Sequence, residues 1–232
     1  MKKKALIFTM PVILALCVNS GLFGQQKQGE LSIEESFLQE PIEIQIIREQ
    51  GASSGREPKM LALEFIEEYM SGGGTTSTAL NDILQDLSLQ GTLNKERVAG
   101  GNDFADVRWT AAEKLGDVSG EQAVHILRRL VLNETEPAVA VSAIQSLTKL
   151  QAYDETTEQC VNICFRKFDT LRPDDRLALT VLDYYAAAPS PKPRYMGETI
   201  NAVRVSAKYQ KPVRDRAASL LKTLFGRKSN KQ

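Results

Sequence analysis

The feature that most constrains the fold is a helical pattern that recurs along the chain. The stretch DVRWTAAEKLGD at 106–117 has counterparts in AVAVSAIQSLTKL at 138–150 and PVRDRAASLLKTL at 212–224. Each places apolar residues at intervals of three and four, which is the spacing of one face of an α-helix. A single amphipathic helix cannot bury its apolar face alone, so repeated copies have to pack against one another.

The apolar stripes group into five pairs of helices. The predicted pairs are 36–50 with 57–70, 77–90 with 104–116, 120–133 with 137–151, 155–170 with 173–187, and 195–209 with 212–226. The second helix of each pair carries a small alanine ahead of larger apolar residues: Ala62, Ala111, Ala143, Ala178 and Ala217, at steps of 49, 32, 35 and 39 residues. Periods of this size are typical of stacked helix pairs, and alanine lets stacked helices approach closely. The predicted class is all-α, an α-solenoid of about five antiparallel helix pairs.

Prolines support the phase of this repeat. Four of them fall at the predicted start of a second helix: Pro58, Pro137, Pro173 and Pro212. Proline is favoured there because the first backbone N–H groups of a helix have no partner in the helix. One segment, PIEIQIIREQ at 41–50, also fits a strand. We interpret it as helix, because no turn residue follows until Gly51.

Glycine and proline also mark three connectors. The longest repeat step is attributed to a polar, glycine-rich insertion at 91–105, and SGGGTTS at 71–77 is a second flexible connector. The stretch PSPKPR at 189–194 predicts a stiff linker ahead of a basic last pair at 195–226 and a basic tail at 227–232.

The N-terminus has the layout of a bacterial secretory signal peptide. Three lysines precede an apolar run and a small-residue exit, which predicts cleavage after Gly24, with Ser20 as the alternative site. Residues 25–35 would then form a lead-in to the repeats at 36–188. The protein is therefore expected to be exported to the periplasm or cell envelope. A lipid anchor at Cys17 and an uncleaved membrane anchor are the less favoured alternatives, since Leu16 does not suit a lipobox.

These residues resemble a known family. Val107, Arg108, Ala111, Ala112 and Leu115 follow the order of the second helix of a HEAT-type repeat, and 212–224 shows the same Val-Arg, Ala-Ala and Leu order. A signal peptide followed by such an array is similar to the exported HEAT-repeat proteins of bacteria such as spirochaetes. The resemblance implies a solenoid with a concave inner face of second helices, on which such arrays usually bind proteins or peptides. It does not select one function, because many functions share this fold.

No catalytic residue, cofactor site or metal site is predicted. The single histidine, His125, fits a helix surface, whereas acid–base catalysis usually needs a histidine or a carboxylate pair in a defined site. Ser146 and Lys149 match the spacing Ser-x-x-Lys, but the companion motifs of penicillin-recognising enzymes are missing. Cys160 and Cys164 are expected to be buried thiols, because positions four apart on a helix do not suit a disulfide.

Charge is distributed very unevenly. From Ser190 onwards, eleven lysines and arginines face two acids, a net +9, whereas residues 25–189 carry a net −12. The predicted partner-binding residues lie in this basic end: Arg204, Lys208, Lys211, Arg214, Lys222, Arg227 and Lys228. Such asymmetry indicates docking to an acidic protein or an anionic envelope surface. The alternative is a solvated cap that keeps the last repeat soluble, and nucleic acid is disfavoured because few aromatic residues accompany the basic ones.

The function predicted from these observations is that of a non-enzymatic, exported scaffold for protein–protein interaction in the cell envelope. One alternative is a self-assembling structural envelope protein. In that case the acidic stretch at 29–50 would contact the basic end of a second molecule. The other alternative is an enzyme of an unfamiliar type.

Overall fold

The computed structural model describes residues 40–91 and 103–229, with side chains up to Thr223. Within these residues the chain forms ten α-helices and no strand, so the all-helical prediction is confirmed, and the segment at 41–50 is helical. The helices are α1 Ile42–Ala52, α2 Arg56–Ser71, α3 Thr78–Leu89, α4 Ala105–Leu115, α5 Glu121–Asn133, α6 Pro137–Lys149, α7 Glu155–Leu171, α8 Asp175–Ala187, α9 Pro193–Val205 and α10 Lys211–Ser229.

The helices pack in two sets. Consecutive helices contact each other in the pairs α1–α2, α3–α4, α5–α6, α7–α8 and α9–α10. Each helix also contacts the helix two positions further along the chain. The odd-numbered helices therefore contact one another in chain order, and we call them the odd row. The even-numbered helices do the same and form the even row.

The apolar core lies where these helices meet. The five alanines that anchor the predicted repeat all lie in the even row and are between 0% and 1% exposed. Large apolar residues such as Leu127, Leu130 and Leu147 are fully buried around them. A small residue at the crossing allows close approach and a large residue fills the space beside it, and this packing stabilises each layer.

Helix starts follow the local chemistry. Pro137 and Pro193 are the first residues of α6 and α9. Ser77, Asp154 and Asp174 each accept a hydrogen bond from a backbone N–H in the first turn of α3, α7 and α8. These bonds satisfy N–H groups that have no partner inside the helix. Because α9 begins at Pro193, the extended linker predicted at 189–194 is shorter than expected.

A buried ion pair joins the second and third helix pairs. Arg108 of α4 donates hydrogen bonds from Nε and Nη2 to the two carboxylate oxygens of Glu134, at 2.8 and 3.2 Å. Asp103 pairs with the same guanidinium. Burial by itself lowers the pKa of Arg108, but the hydrogen bonds and charges of Glu134 and Asp103 outweigh it and raise that pKa.

Several predictions fall outside the described residues. The signal peptide at 1–24, the lead-in at 25–35 and most of the insertion at 91–105 belong to this group. None of the described helices is long and apolar enough to cross a membrane.

Candidate interaction surface at the basic end

The last helix pair is anchored to the rest of the fold by Tyr209, in the turn between α9 and α10. Its ring is buried and stacks on that of Phe165, with the centroids 6.4 Å apart. Its hydroxyl donates a hydrogen bond to Oδ1 of Asp169, at 2.9 Å. Burial is the main reason that the pKa of Tyr209 is raised. The turn therefore points inward, and its conformation is fixed by contacts with α7.

The prediction of a helix over 195–209 is wrong at its C-terminal end, so Arg204, Lys208 and Lys211 do not share one helical face. Helix α9 ends at Val205, and Lys208 lies in the turn rather than on a helix. The helix stops because the next residues have to bring Tyr209 into the core. Periodicity alone did not reveal this, since VSAKYQK continues the spacing of a helix without a glycine.

The structure separates the predicted cations into two groups. Lys208 is used inside the fold, where its Nζ donates to the backbone oxygen of Asp169 at 2.8 Å and lies 3.6 Å from the carboxylate. Arg204 donates to the side-chain oxygen of Asn201 at 3.0 Å. Two further cations of the same end are paired with acids of other helices, Arg216 with Asp183 and Lys192 with Glu155.

Five predicted cations lie on α10, and the side chains of three of them are described. Lys211 and Lys222 are exposed, Arg214 is half-buried, and none of them forms an ion pair with another residue of the described part of the chain. Lys211 and Lys222 are eleven residues apart, which is about three helical turns and places them on one face. Arg227 and Lys228 also belong to α10, but their side chains lie outside the described residues. We call Lys211, Arg214 and Lys222 the basic face.

Polar contacts join the last pair to the fourth. Glu158 of α7 is fully buried, and its Oε2 accepts a hydrogen bond from the backbone N–H of Lys192 at 2.7 Å. Its Oε1 has no hydrogen-bond partner among the described residues. Burial raises the pKa of Glu158 above its ordinary value. Nearby, Nδ2 of Asn162 donates to Oγ1 of Thr199 at 3.1 Å. Sequence reasoning missed this network, because Glu158 and Asn162 have no charged partner close in sequence.

A second surface that sequence reasoning missed lies on α2 and α4, at the other end of the even row. It carries two exposed apolar residues and four exposed acids, and we call it the acidic face: Glu57, Leu61, Glu64, Glu68, Trp109 and Glu113. The spacing of its glutamates on α2 is helical, but a net charge summed over the whole of residues 25–189 does not reveal it.

The residues weighed for catalysis have ordinary structural environments. His125 is exposed on α5. The Ser146 hydroxyl is buried and donates to the backbone oxygen of Ala112 at 2.7 Å, while Lys149 pairs with Asp117. These contacts use the Ser-x-x-Lys residues to join α6 to α4 and its C-terminal turn.

Cys160 and Cys164 are buried and unbridged, as predicted. Burial raises the pKa of Cys160 and raises that of Cys164 to about 12. A thiol with such a pKa stays protonated at neutral pH and behaves as a small apolar group. No group of three or more potential metal ligands occurs within residues 40–91 and 103–223.

A cleft of about 430 Å³ lies against α1, α3 and α5. Arg48, Asp86 and Arg129 contribute charges of both signs to its lining, together with Gln85 and Gln90. Arg48 already pairs with Glu40, and Gln85 accepts a weak hydrogen bond from Arg129 at 3.5 Å. The lining therefore carries charges of both signs, which does not select one kind of ligand.

Comparison of the chain with protein-family models, curated proteins and solved structures finds no match. The HEAT-type resemblance therefore stays a prediction carried by the motif residues.

Proposed function

We propose that this protein is a non-enzymatic, exported scaffold for protein–protein interaction in the bacterial cell envelope, and that its last helix pair docks onto an acidic protein surface. The observation that carries the proposal is the basic face of α10. Its three cations form no ion pair with another described residue, although Lys192, Lys208 and Arg216 beside them are each paired with an acid.

The charge pattern has a physical consequence for binding. A surface of one sign attracts a partner of the opposite sign, accelerates encounter and orients the complex. Exposed charges are strongly screened by salt, because the Debye length is about 8 Å at physiological ionic strength. Docking through the basic face should therefore weaken markedly as salt rises.

The packing supports a HEAT-like α-solenoid as the architecture of this scaffold. Contacts run from each helix pair to the neighbouring pair along both rows. An array of this kind exposes a long surface of successive second helices, which is suited to contacts with another protein. The cations of α10 would then extend that surface at one end.

The test is a crosslinked pull-down from the native envelope with three baits. The first is the unchanged protein, and the second carries Lys211→Gln, Arg214→Gln and Lys222→Gln. The third is a control with the same loss of charge elsewhere, Lys149→Gln, Arg166→Gln and Arg172→Gln. These three control residues are exposed outside the last helix pair, Lys149 and Arg166 on α6 and α7 and Arg172 directly after α7.

We expect a specific acidic protein to be recovered by the unchanged and control baits and lost with the basic-face variant. Recovery should also fall when salt is raised before crosslinking. Equal recovery by all three baits would reject docking through the basic face. Failure of every bait to recover a specific protein, including the protein itself, would reject the scaffold.

A further inference from the structure

Two ion pairs connect α2 with α4, one near each end of the acidic face. Arg56 pairs with Asp106 near the start of both helices, and Glu67 pairs with Lys114 at 2.6 Å near their ends. Leu61 lies between the two pairs on α2, and Trp109 lies between them on α4. The aligned helices therefore present these two apolar side chains at the same level.

Both side chains are substantially exposed, Leu61 at 37% and Trp109 at 38%. Tryptophan is the residue type most enriched among those that dominate binding energy at protein interfaces. Each of these two exposed side chains offers apolar surface that a partner could cover.

The same two helices carry exposed acids. Glu64, Glu68 and Glu113 are exposed and form no ion pair with any other described residue. A surface with exposed apolar side chains and unpaired acids matches a segment that has apolar residues in its middle and basic residues on either side, since charges at the rim of an interface give orientation and selectivity.

The chain itself contains such a segment at its C-terminal end. The sequence KTLFGRKSNKQ at 222–232 places Leu224 and Phe225 between Lys222 and the basic residues Arg227, Lys228 and Lys231. Helix α10 contacts α8 and α9, whereas α4 is separated from it by α6 and α8 along the even row. The basic segment of one copy therefore matches the acidic face of another copy.

We infer that the acidic partner of the basic end is a second copy of this chain, whose acidic face receives residues 222–232. This inference rests on the proposed function and names the partner. The contact joins two different surfaces, so in a pair of copies one copy still has a free acidic face and the other still has a free segment 222–232. Association of this type continues into open chains or closes into a ring.

Trp109 provides a direct readout, because it is the only tryptophan of the protein. The protein is purified in the form in which its cells process it. Its tryptophan emission and acrylamide quenching are then followed over the micromolar concentration range, beside sedimentation velocity. We expect quenching to fall and the sedimentation coefficient to rise together as concentration increases. Both changes should reverse at high salt.

Two equally exposed leucines distinguish a specific effect at the acidic face from the general effect of replacing an exposed apolar residue. Leu61 and Leu132 are both 37% exposed, but Leu132 lies on α5 in the odd row. We expect Leu61→Ser to raise the dissociation constant for self-association at least about tenfold, the size expected for a residue at the centre of an interface. Leu132→Ser should leave it unchanged. Equal effects of the two variants would overturn the inference.

A charge exchange tests the pairing itself. One variant carries Glu64→Lys and Glu113→Lys, and the other carries Lys222→Glu, Arg227→Glu and Lys228→Glu. Neither variant should associate with itself, but their mixture should associate, because the exchanged charges are again complementary.

Two results would overturn the inference. The first is an unchanged protein that stays monomeric with Trp109 equally quenched at every concentration. The second is a mixture of the exchanged variants that fails to associate. Recovery of a different acidic protein through the basic face would then leave the proposed function standing, whereas loss of all partners would reject both.

Discussion

Glu134 and Glu158 are both fully buried, but the helix pairs that they join are held in different ways. Glu134, at the end of α5, accepts two hydrogen bonds from Arg108 and two more from the backbone N–H groups of Thr135 and Glu136. Glu158 accepts one bond, from the N–H of Lys192, and its Oε1 has no partner among the described residues. The second and third helix pairs are thus joined by Glu134, whose two carboxylate oxygens both have hydrogen-bond partners. The fourth and fifth helix pairs are joined by Glu158, of which only one oxygen has a partner among the described residues.

This difference has a structural meaning. A buried charge stabilises a fold only when its partners compensate for the loss of water, as Arg108 does for Glu134. Where hydrogen bonds do not fully compensate a buried carboxylate for the loss of water, separating the two helix pairs that it joins costs less free energy. Local unfolding begins in such regions. The second and third helix pairs, which we call the frame, are therefore held rigidly together. The last pair, which carries the basic face, separates from the rest of the fold more easily.

The largest effect is expected when the satisfied pair is broken. Arg108→Met leaves the Glu134 carboxylate buried without its cation, and breaking a buried pair in this way costs about 3–5 kcal/mol. We expect a loss of that size in the free energy of unfolding, measured by urea denaturation. The double variant Arg108→Met, Glu134→Gln should recover a large part of it, because no charge remains buried. A loss below about 1 kcal/mol in the single variant would contradict the role given to this pair.

A smaller effect is expected at the anchor of the last pair. Tyr209→Phe keeps the ring on Phe165 but removes the hydrogen bond to Asp169, and a bond to a charged group is worth about 1.5–3 kcal/mol. Hydrogen exchange should accelerate in α9 and α10 and stay unchanged in α4, α5 and α6. Uniform acceleration along the whole chain would show that the last pair does not open separately.

Replacing Glu158, whose Oε1 has no partner among the described residues, should raise stability rather than lower it, and the gain should depend on pH. The pKa of Glu158 is raised by burial, so the folded state holds its proton more tightly than the unfolded state. Stability is thus retained below the ordinary pKa of about 4.5 and declines as pH rises through the folded-state value.

Glu158→Gln removes this decline, because an amide does not titrate in this pH range, and its amide oxygen can still accept the N–H of Lys192. Thermal denaturation should therefore show a variant more stable than the unchanged protein at neutral pH, by less than the loss in Tyr209→Phe. The difference should vanish below about pH 4.5. A difference that is constant across the pH range would exclude titration of Glu158 as its cause.

The smallest effect is expected at an exposed ion pair of the frame. Lys149 and Asp117 are each at least half exposed, and pairs of this kind contribute about 0–1 kcal/mol. Lys149→Gln should change the unfolding free energy by no more than that in urea denaturation, and the change should shrink further as salt is added. A loss comparable to that of Arg108→Met would mean that burial does not separate strong pairs from weak ones in this fold.

The helices were predictable from the sequence because their signals are local. Apolar spacing, the five buried alanines and prolines such as Pro137 mark the helices through short-range chemistry. The end of α9 was not predictable, because it depends on Tyr209 reaching Phe165 and Asp169, which lie 44 and 40 residues away.

The candidate surface was predictable only as a total charge. The sequence places eleven cations in the last 43 residues, but it does not show which of them other helices neutralise. Lys192, Lys208 and Arg216 are paired with acids of other helices, and among the described side chains of α10 this leaves Lys211, Arg214 and Lys222 as the basic face. The acidic face depends likewise on the alignment of α2 with α4.

The most direct test of the scaffold proposal is crosslinking in intact cells with an amine-reactive reagent, followed by mass spectrometry of the linked peptides. We expect links to partner chains to concentrate at Lys211 and Lys222 and to disappear at high salt, whereas Lys149 of the frame should give few. Intermolecular links spread evenly over the exposed lysines, or confined to the frame, would contradict it.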